Sequence, residues 1–203
     1  MRSIPGSDKM LRLFYRFAWL LIGICLLAGC NEEQDTDPAP VAEPTATLLP
    51  FTRYSDPVSL EFLYPSSWTY SLLRQGLLLF GPASAMALEG EGVQPTLLVY
   101  RRSPNAGVTL HDEMDNFLAQ GPLASGFQLQ GSLFETEQNG KQVLIASVSR
   151  AAGDEQIAAN SLIWGWEAQS QARYILVATA ASEEWGNWAP NFEVMLSSVN
   201  ILE

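Results

Sequence analysis

The stretch FETEQNGKQVLIASVSR, residues 134–150, contains the clearest fold signal in the chain. Asn139-Gly140 suits a two-residue hairpin turn, because both central positions of a type I′ turn need a positive φ. The segments on either side, residues 127–136 and 141–150, are rich in β-branched and apolar residues. We therefore predict that they form two paired antiparallel strands, and that the protein contains a sheet built from hairpins.

Further strand signals occur on both sides of this hairpin. From Val58 to Tyr64 the apolar residues alternate with other residues, which is typical of a half-buried strand. The other predicted strands are residues 68–73 and 76–80, a hairpin across Arg74-Gln75, then 96–102, and finally 157–167 and 172–180, joined by the polar turn Gln169-Ser170-Gln171.

A first helix is predicted in the middle of the chain. Thr109 is placed to cap it, and Asp112 and Glu113 suit the positive end of its dipole. Gly121-Pro122 ends it. Its buried face is predicted to hold Leu110, Met114, Phe117 and Leu118.

A second helix is predicted over residues 190–199. Pro190 suits a first helical turn, and together with Gly186 it argues against an earlier start. Trp185 and Trp188 then lie in the lead-in. The buried stripe is predicted to hold Phe192, Met195, Leu196 and Val199.

These segments predict an α+β fold, in which helices pack on an antiparallel β-sheet. Residues 77–80 and 174–177 are apolar at every position. Because successive side chains of a strand point to opposite faces, we expect both faces of the central strands to be covered.

The order of segments resembles that of the PsbP-like α/β/α sandwich, a family that includes an extrinsic protein of photosystem II and many bacterial lipoproteins. The resemblance is carried by Tyr64-Pro65-Ser66-Ser67-Trp68, the meander around Asn139-Gly140, and a final aromatic-led helix that runs into Ser197-Ser198-Val199. It would cover residues 54–203. It implies a fold rather than an activity, because members of the family have diverse roles.

The N-terminal residues 1–29 have the composition of a secretory signal. Four basic residues accompany one acidic residue, and an apolar run over residues 17–27 follows them. That run is shorter than the roughly twenty residues that span a bilayer as a helix. We therefore predict a cleaved signal peptide.

Leu27-Ala28-Gly29-Cys30 specifies the kind of signal, because it resembles the bacterial lipobox. The resemblance implies that diacylglycerol is attached to the sulfur of Cys30 and that cleavage occurs just before it. The alternatives are an ordinary secretory signal and an uncleaved anchor. Cys25 would leave with the signal. The mature chain would then have no free thiol for a disulfide or for a cysteine-ligated metal.

Residues 30–52 are predicted to form a lipidated tether, and residues 53–203 a single globular domain. The tether is acidic and rich in proline, so it cannot bury enough apolar surface to offset its ordering entropy. Removal of residues 1–29 shifts the formal net charge from −11 to −14. Such a surface repels phosphate backbones, so nucleic acid is not expected as a partner.

One cluster of potential metal ligands lies at the start of the first predicted helix. His111, the only histidine, is four residues before Asp115, and Asp112 and Glu113 lie between them. A zinc site needs three or four converging ligands. We interpret the cluster as a solvated acidic first turn and predict no bound metal and no cofactor.

No enzyme motif is present in the sequence. A Ser-His-Asp triad would have a single possible base, and there is no Gly-x-Ser-x-Gly, phosphate loop or dinucleotide fingerprint. Acidic pairs such as Glu183-Glu184 fall in predicted turns or helix starts, where they improve capping and solubility. We predict that the protein is not an enzyme, with a hydrolase of unrecognised site as an alternative.

The aromatic residues near the C-terminus have two interpretations. Trp164 and Trp166 should share one face of a strand, and Trp185 and Trp188 precede Phe192 with helical spacing. They either pack the last helix on the sheet or form an exposed platform for a sugar, lipid or protein. The residues proposed for such a partner surface are Trp164, Trp166, Trp185 and Trp188.

The sequence therefore predicts a lipoprotein that is anchored to the cell membrane and faces outside the cytoplasm, in a periplasm or on a cell surface. Its domain is expected to bind a protein or a glycan or to act in assembly. The alternative is a structural subunit of an envelope or photosynthetic membrane complex.

Overall fold

The computed structural model describes residues 47–56, 59–74, 76–87, 92–103, 105–120, 126–153 and 156–202. The strands in these ranges are β1 (Phe51–Ser55), β2 (Leu60–Pro65), β3 (Thr69–Arg74), β4 (Leu77–Gly81), β5 (Thr96–Arg102), β6 (Phe127–Leu129), β7 (Phe134–Gln138), β8 (Lys141–Arg150), β9 (Ala159–Glu167), β10 (Arg173–Ala181) and β11 (Asn200–Ile201). The helices are α1 (Ala83–Met86), α2 (Leu110–Gln120) and α3 (Trp185–Ser197).

The strands form two antiparallel sheets. The larger sheet has eight strands in the order β3-β4-β5-β10-β9-β8-β6, and β7 also pairs with β8. The smaller sheet has the order β1-β2-β11. The predicted α+β class with an antiparallel sheet is confirmed.

Helices cover both faces of the larger sheet. Tyr174 and Leu176 of β10 belong to a cluster that contains α3 and the smaller sheet, whereas Ile175 and Val177 belong to a cluster that contains α2. All four side chains are buried. The fully apolar run in β10 therefore indicates burial on both faces, and the layers have the predicted α/β/α order.

Gly165 lets α2 lie close to the sheet. A Cβ atom at this position would be only 2.7 Å from Met114 Sδ, which is shorter than carbon and sulfur can approach. Met114 and Ile163 are fully buried in the same cluster. Met114 thus occupies the space that a side chain at position 165 would take.

The predicted Asn139-Gly140 hairpin is confirmed. Both residues have positive φ, 53° and 73°, and Gln138 is paired with Lys141 across the turn. Thr109 also caps α2 as predicted, since Asp112 N–H donates to its hydroxyl oxygen at 3.1 Å.

The prediction of one continuous strand over residues 127–136 is wrong. β6 and β7 are separate strands, although both pair with β8. Leu129 is opposite Val148 and Phe134 is opposite Ile145. The four residues between Leu129 and Phe134 therefore correspond to only two residues of β8. The extra residues form a loop in which Gly131 has φ +86°.

The predicted start of the last helix is also wrong, because α3 begins at Trp185 rather than Pro190. Pro190 lies inside the helix, where it removes the hydrogen bond to the carbonyl of Gly186 and crowds that carbonyl. Gly186 is exposed. The packing of Trp185 and Trp188 beside buried Phe192 compensates for this loss. The helix ends at Ser197, and Val199 follows it.

β1 begins inside the predicted 30–52 tether, because its first residue is Phe51. Just before it, Leu49 N–H donates to Asn191 Oδ1 at 2.9 Å. The helix α1 and the strands β1 and β11 were not predicted from the sequence. The predicted signal peptide, Cys25, Cys30 and most of the predicted tether lie outside the described residues.

Candidate functional site

The four tryptophans proposed as a partner surface contact one buried cluster. Trp164 and Trp166 share a face of β9 as predicted, with ring centroids 5.6 Å apart. Trp166 is 1% exposed, whereas Trp164, Trp185 and Trp188 are partly buried against the cluster. A partner surface would therefore use the three partly exposed rings.

Aromatic contacts pack α3 against the rest of the domain. Phe192 is fully buried, and its ring centroid lies 5.8 Å from that of Trp185 and 5.9 Å from that of Trp188. The ring centroid of Trp188 also lies 5.3 Å from that of Trp68, the residue just before β3. The core interpretation holds for Phe192, and Trp188 links α3 to the strand that follows Trp68.

The acidic start of α2 forms a capping arrangement. Asp112 Oδ2 accepts hydrogen bonds from the N–H of Thr109 at 2.8 Å and from its hydroxyl at 2.7 Å. These bonds lower the pKa of the Asp112 carboxyl. His111 Nε2 lies 3.8 Å from Glu135 Oε2. Within the described residues no three His, Cys, Asp or Glu side chains are grouped so as to hold a metal ion.

A cleft of about 340 Å³ opens between the smaller sheet and one end of the larger sheet. Its volume is in the range of small-ligand and side-chain pockets. The walls come from β1, β2, β3, β4, β5 and β10, together with the loop after β1 and Gly76 just before β4. The lining residues are Tyr54, Asp56, Ser59, Leu60, Tyr70, Leu72, Gly76, Leu77, Leu78, Val99, Arg101 and Tyr174.

Aromatic rings build one side of this cleft. The Tyr54 ring centroid lies 5.3 Å from that of Tyr70 and 5.1 Å from that of Phe80, both in edge-on contact. Tyr70 stacks on Phe80 at 5.2 Å. Offset and edge-on contacts of this kind hold the rings in defined positions. The wall is therefore fixed before anything binds.

A few polar groups lie among these apolar walls. Arg101 Nε donates to the phenol oxygen of buried Tyr174 at 3.0 Å. Burial raises the pKa of the Tyr54 phenol, and the nearby Asp56 carboxylate and Tyr70 raise it further. The Tyr54 phenol thus stays protonated at neutral pH and can donate a hydrogen bond. Apolar walls with a few fixed polar groups suit selective binding.

The cleft borders the most exposed strand of the larger sheet. All six residues of β3 are exposed. Tyr70, Leu72 and Leu73 keep 51%, 66% and 51% of their surface accessible. Tyr70 and Leu72 also line the cleft. The candidate site is therefore this cleft together with β3.

No pattern in the sequence predicted this cleft. Its residues come from six strands and two connecting segments, so no spacing in the sequence joins Tyr54 to Arg101. One signal was available. The strand that ends in Arg74 contains three large apolar residues, Tyr70, Leu72 and Leu73. That composition is unusual for a strand at the edge of a sheet.

No family model and no curated protein matches the chain. Solved structures do resemble it. The solution structure of PsbP from the cyanobacterium Synechocystis, CyanoP, matches 87% of this chain and 99% of its own, with a TM-score of 0.57 and 16% identity. The fold is thus PsbP-like, as the sequence resemblance implied.

Two further structures share this fold. The yeast Ran-binding protein Mog1p, from Saccharomyces cerevisiae, matches 76% of this chain and 97% of its own, with a TM-score of 0.54 and 9% identity. A structure from Bacteroides thetaiotaomicron matches 74% of this chain and 48% of its own, with a TM-score of 0.50 and 12% identity. At such identities the likeness defines the class of fold and no more.

None of the helices in the described ranges has both the length and the apolarity needed to cross a membrane.

Proposed function

We propose that the chain is a lipid-anchored, extracytoplasmic binding domain that acts in assembly at a membrane surface and catalyses no reaction. The observation that carries the binding role is the cleft of about 340 Å³ beside the exposed strand β3. Its Tyr54 and Tyr70 rings are held by Phe80, so the site is preorganised. Preorganised apolar clefts bind without paying a large ordering cost.

The proposed anchor is diacylglycerol on Cys30, after removal of residues 1–29. Its support is the sequence Leu27-Ala28-Gly29-Cys30 behind a short apolar run. Seventeen residues lead from Cys30 to Thr47, the first described residue. At about 3.1 Å per residue they would reach about 50 Å. The domain could then engage partners well above the lipid headgroups.

A structural subunit of a membrane complex is the second candidate. It is favoured by the likeness to cyanobacterial PsbP over 99% of that protein's chain. Mog1p, which has the same fold, is a Ran-binding protein, so this fold also serves in binding another protein. Trp164, Trp185 and Trp188 would offer a second contact surface for a protein or a glycan.

Native electrophoresis tests the proposed role. Membranes that contain the full-length chain with a C-terminal tag are solubilised in mild detergent and separated without denaturation. We expect the tagged protein in an assembly much larger than one chain. Free migration of the whole population as a single chain, under detergents that preserve known complexes of the same membrane, would contradict an assembly role.

A further inference from the structure

We propose that an extended segment of a partner protein adds to the free edge of β3 and packs an apolar side chain against Tyr70 and Leu72 at the rim of the cleft. This inference rests on the proposed binding function and assigns it a place and a kind of ligand. Strand addition combines main-chain hydrogen bonds with pockets for alternate side chains.

The backbone of β3 offers a place for another strand. Among the described residues β3 pairs with β4 alone, and it is the first strand of the eight-stranded order. Its outer side therefore has N–H and C=O groups that no described strand uses. Edge strands usually carry charges or prolines that discourage pairing. β3 instead presents Tyr70, Leu72 and Leu73, each at least 51% exposed.

The register defines which part of β3 can be paired. Tyr70 is opposite Phe80 and Leu72 is opposite Leu78, but the pairing shifts between Leu72 and Arg74. Such a bulge twists a strand and interrupts its ladder. The regular edge is therefore residues 69–72, and strand addition should occur there.

Side chains on this regular edge face the cleft. Tyr70 and Leu72 lie two residues apart, so they share one face of the strand, and both line the cleft. A strand laid beside β3 would project alternate side chains toward that face. One of them, placed next to Leu72, would pack against the Tyr70 and Leu72 side chains at the rim of the cleft.

The exposed side chains indicate the composition of the partner segment. Arg101 N–H donates to the Gly76 carbonyl at 2.7 Å, which brings the end of β5 beside the turn that follows Arg74. The charge at this end of the sheet is offset within the chain, because Arg102 lies 3.6 Å from Glu113. The edge itself presents the apolar side chains of Tyr70, Leu72 and Leu73. The partner segment is therefore extended and apolar.

Peptide selection tests this inference. The full-length chain, purified in detergent micelles, is presented to a displayed library of random twelve-residue peptides. Excess Leu72→Glu variant in solution removes the peptides that bind elsewhere. We expect enrichment of peptides with alternating apolar residues.

The affinity of the enriched peptide is then measured for a matched set of variants. Leu72→Glu should weaken its binding at least about tenfold, as expected for a central interface residue. Phe134→Glu introduces the same charge at a 62% exposed residue of β7 and should leave binding unchanged. Methylation of alternate backbone nitrogens of the peptide should abolish binding, because it removes the N–H donors that strand pairing needs.

Several outcomes would overturn the proposal. These are a library that yields no Leu72-dependent peptide, equal binding of the methylated peptide, and a chain that forms a dimer which Leu72→Glu dissociates. The last would assign the edge to a second copy of the chain. If Leu72→Glu still enters the large membrane assembly, the proposed function stands and this site alone is wrong.

Discussion

The ammonium group of Lys141 donates a hydrogen bond of 2.8 Å to the main-chain carbonyl of Ile201. The neighbouring Gln138 amide donates to the Ser197 carbonyl at the end of α3 and to the Val199 carbonyl. Side chains of the β7–β8 hairpin therefore satisfy the carbonyls that the last helix and β11 leave unpaired. The hairpin signalled by Asn139-Gly140 holds the C-terminal segment in place.

Lys141→Met should lower the free energy of unfolding by about 1–3 kcal/mol, because the part-buried Ile201 carbonyl loses its donor. Urea denaturation of the full-length chain in detergent measures the change. Methionine keeps the length and the apolar stem of lysine, so packing is retained. An unchanged denaturation midpoint would show that water replaces the ammonium group at no cost.

Phe192→Ala should destabilise the protein by about 3–5 kcal/mol, since it removes a fully buried ring. Trp188→Ala should cost less, because that ring is only partly buried. Phe134→Ala is the matched control, an aromatic truncation at a 62% exposed residue. Thermal melts of the three variants should rank in that order. A Phe192→Ala melt equal to the control would refute the core interpretation of α3.

Gly165→Ala should destabilise the protein by about 1–3 kcal/mol through overpacking, because the new methyl group would meet Met114. The double variant Gly165→Ala, Met114→Ala should be more stable than the sum of the two single effects predicts, since the shortened side chain at position 114 makes room for the new methyl group, which fills part of the cavity. Additive single effects would mean that the two residues do not share this space.

Asp112 should make stability depend on pH. Its pKa in the folded protein is lowered from the ordinary value of 3.8 by the hydrogen bonds from Thr109. The carboxylate therefore stabilises the folded state above that value, and the contribution is lost as the pH falls through the lower folded pKa. Asp112→Asn should be less stable than the parent protein at pH 7.

The difference between these two proteins should shrink as the pH is lowered below about 3.8. Urea midpoints between pH 7 and pH 2.5 measure it. A constant difference across that range would show that the carboxylate charge at the start of α2 has no part in the effect.

Cys30→Ala should yield a protein that carries no acyl mass and is not cleaved before residue 30. Cys25→Ala is the control, because that cysteine lies within the apolar run and should leave with the signal peptide. Mass spectrometry of the intact protein from membranes distinguishes the two. An unmodified Cys30 in the parent protein, or a different first residue, would refute the anchor.

The sequence predicted those parts of the fold that depend on short-range chemistry. Asn139-Gly140 specified its turn because few dipeptides accept two positive φ angles, and Thr109 specified a helix start. The break between β6 and β7 was missed because Gly131 interrupts a segment whose two halves pair with the same strand. The start of α3 was missed because tertiary packing of Trp185 and Trp188 outweighs the disfavoured Pro190.

The candidate site could not be predicted for a different reason. Tyr54 meets Tyr70 and Phe80 only because the β1–β2 hairpin folds over the end of the larger sheet. That placement depends on how the two sheets pack on each other. No periodicity in the sequence indicates such packing. Trp164 and Trp166, by contrast, share a face simply because they lie two residues apart in a strand.

The contact of Leu49 with Asn191 has a mechanical consequence. Tension applied to the chain on the N-terminal side of Thr47 first reaches the hydrogen bonds that join Thr47 and Leu49 to Asn191. It then reaches the bond from Ser66 N–H to the Pro50 carbonyl, and finally β1, which pairs only with β2 among the described strands. Under load, β1 should peel away while the eight-stranded sheet stays intact. Tyr54 would move away with β1, and the cleft would lose one wall. Tension on the segment before Thr47 would therefore release a ligand bound in the cleft.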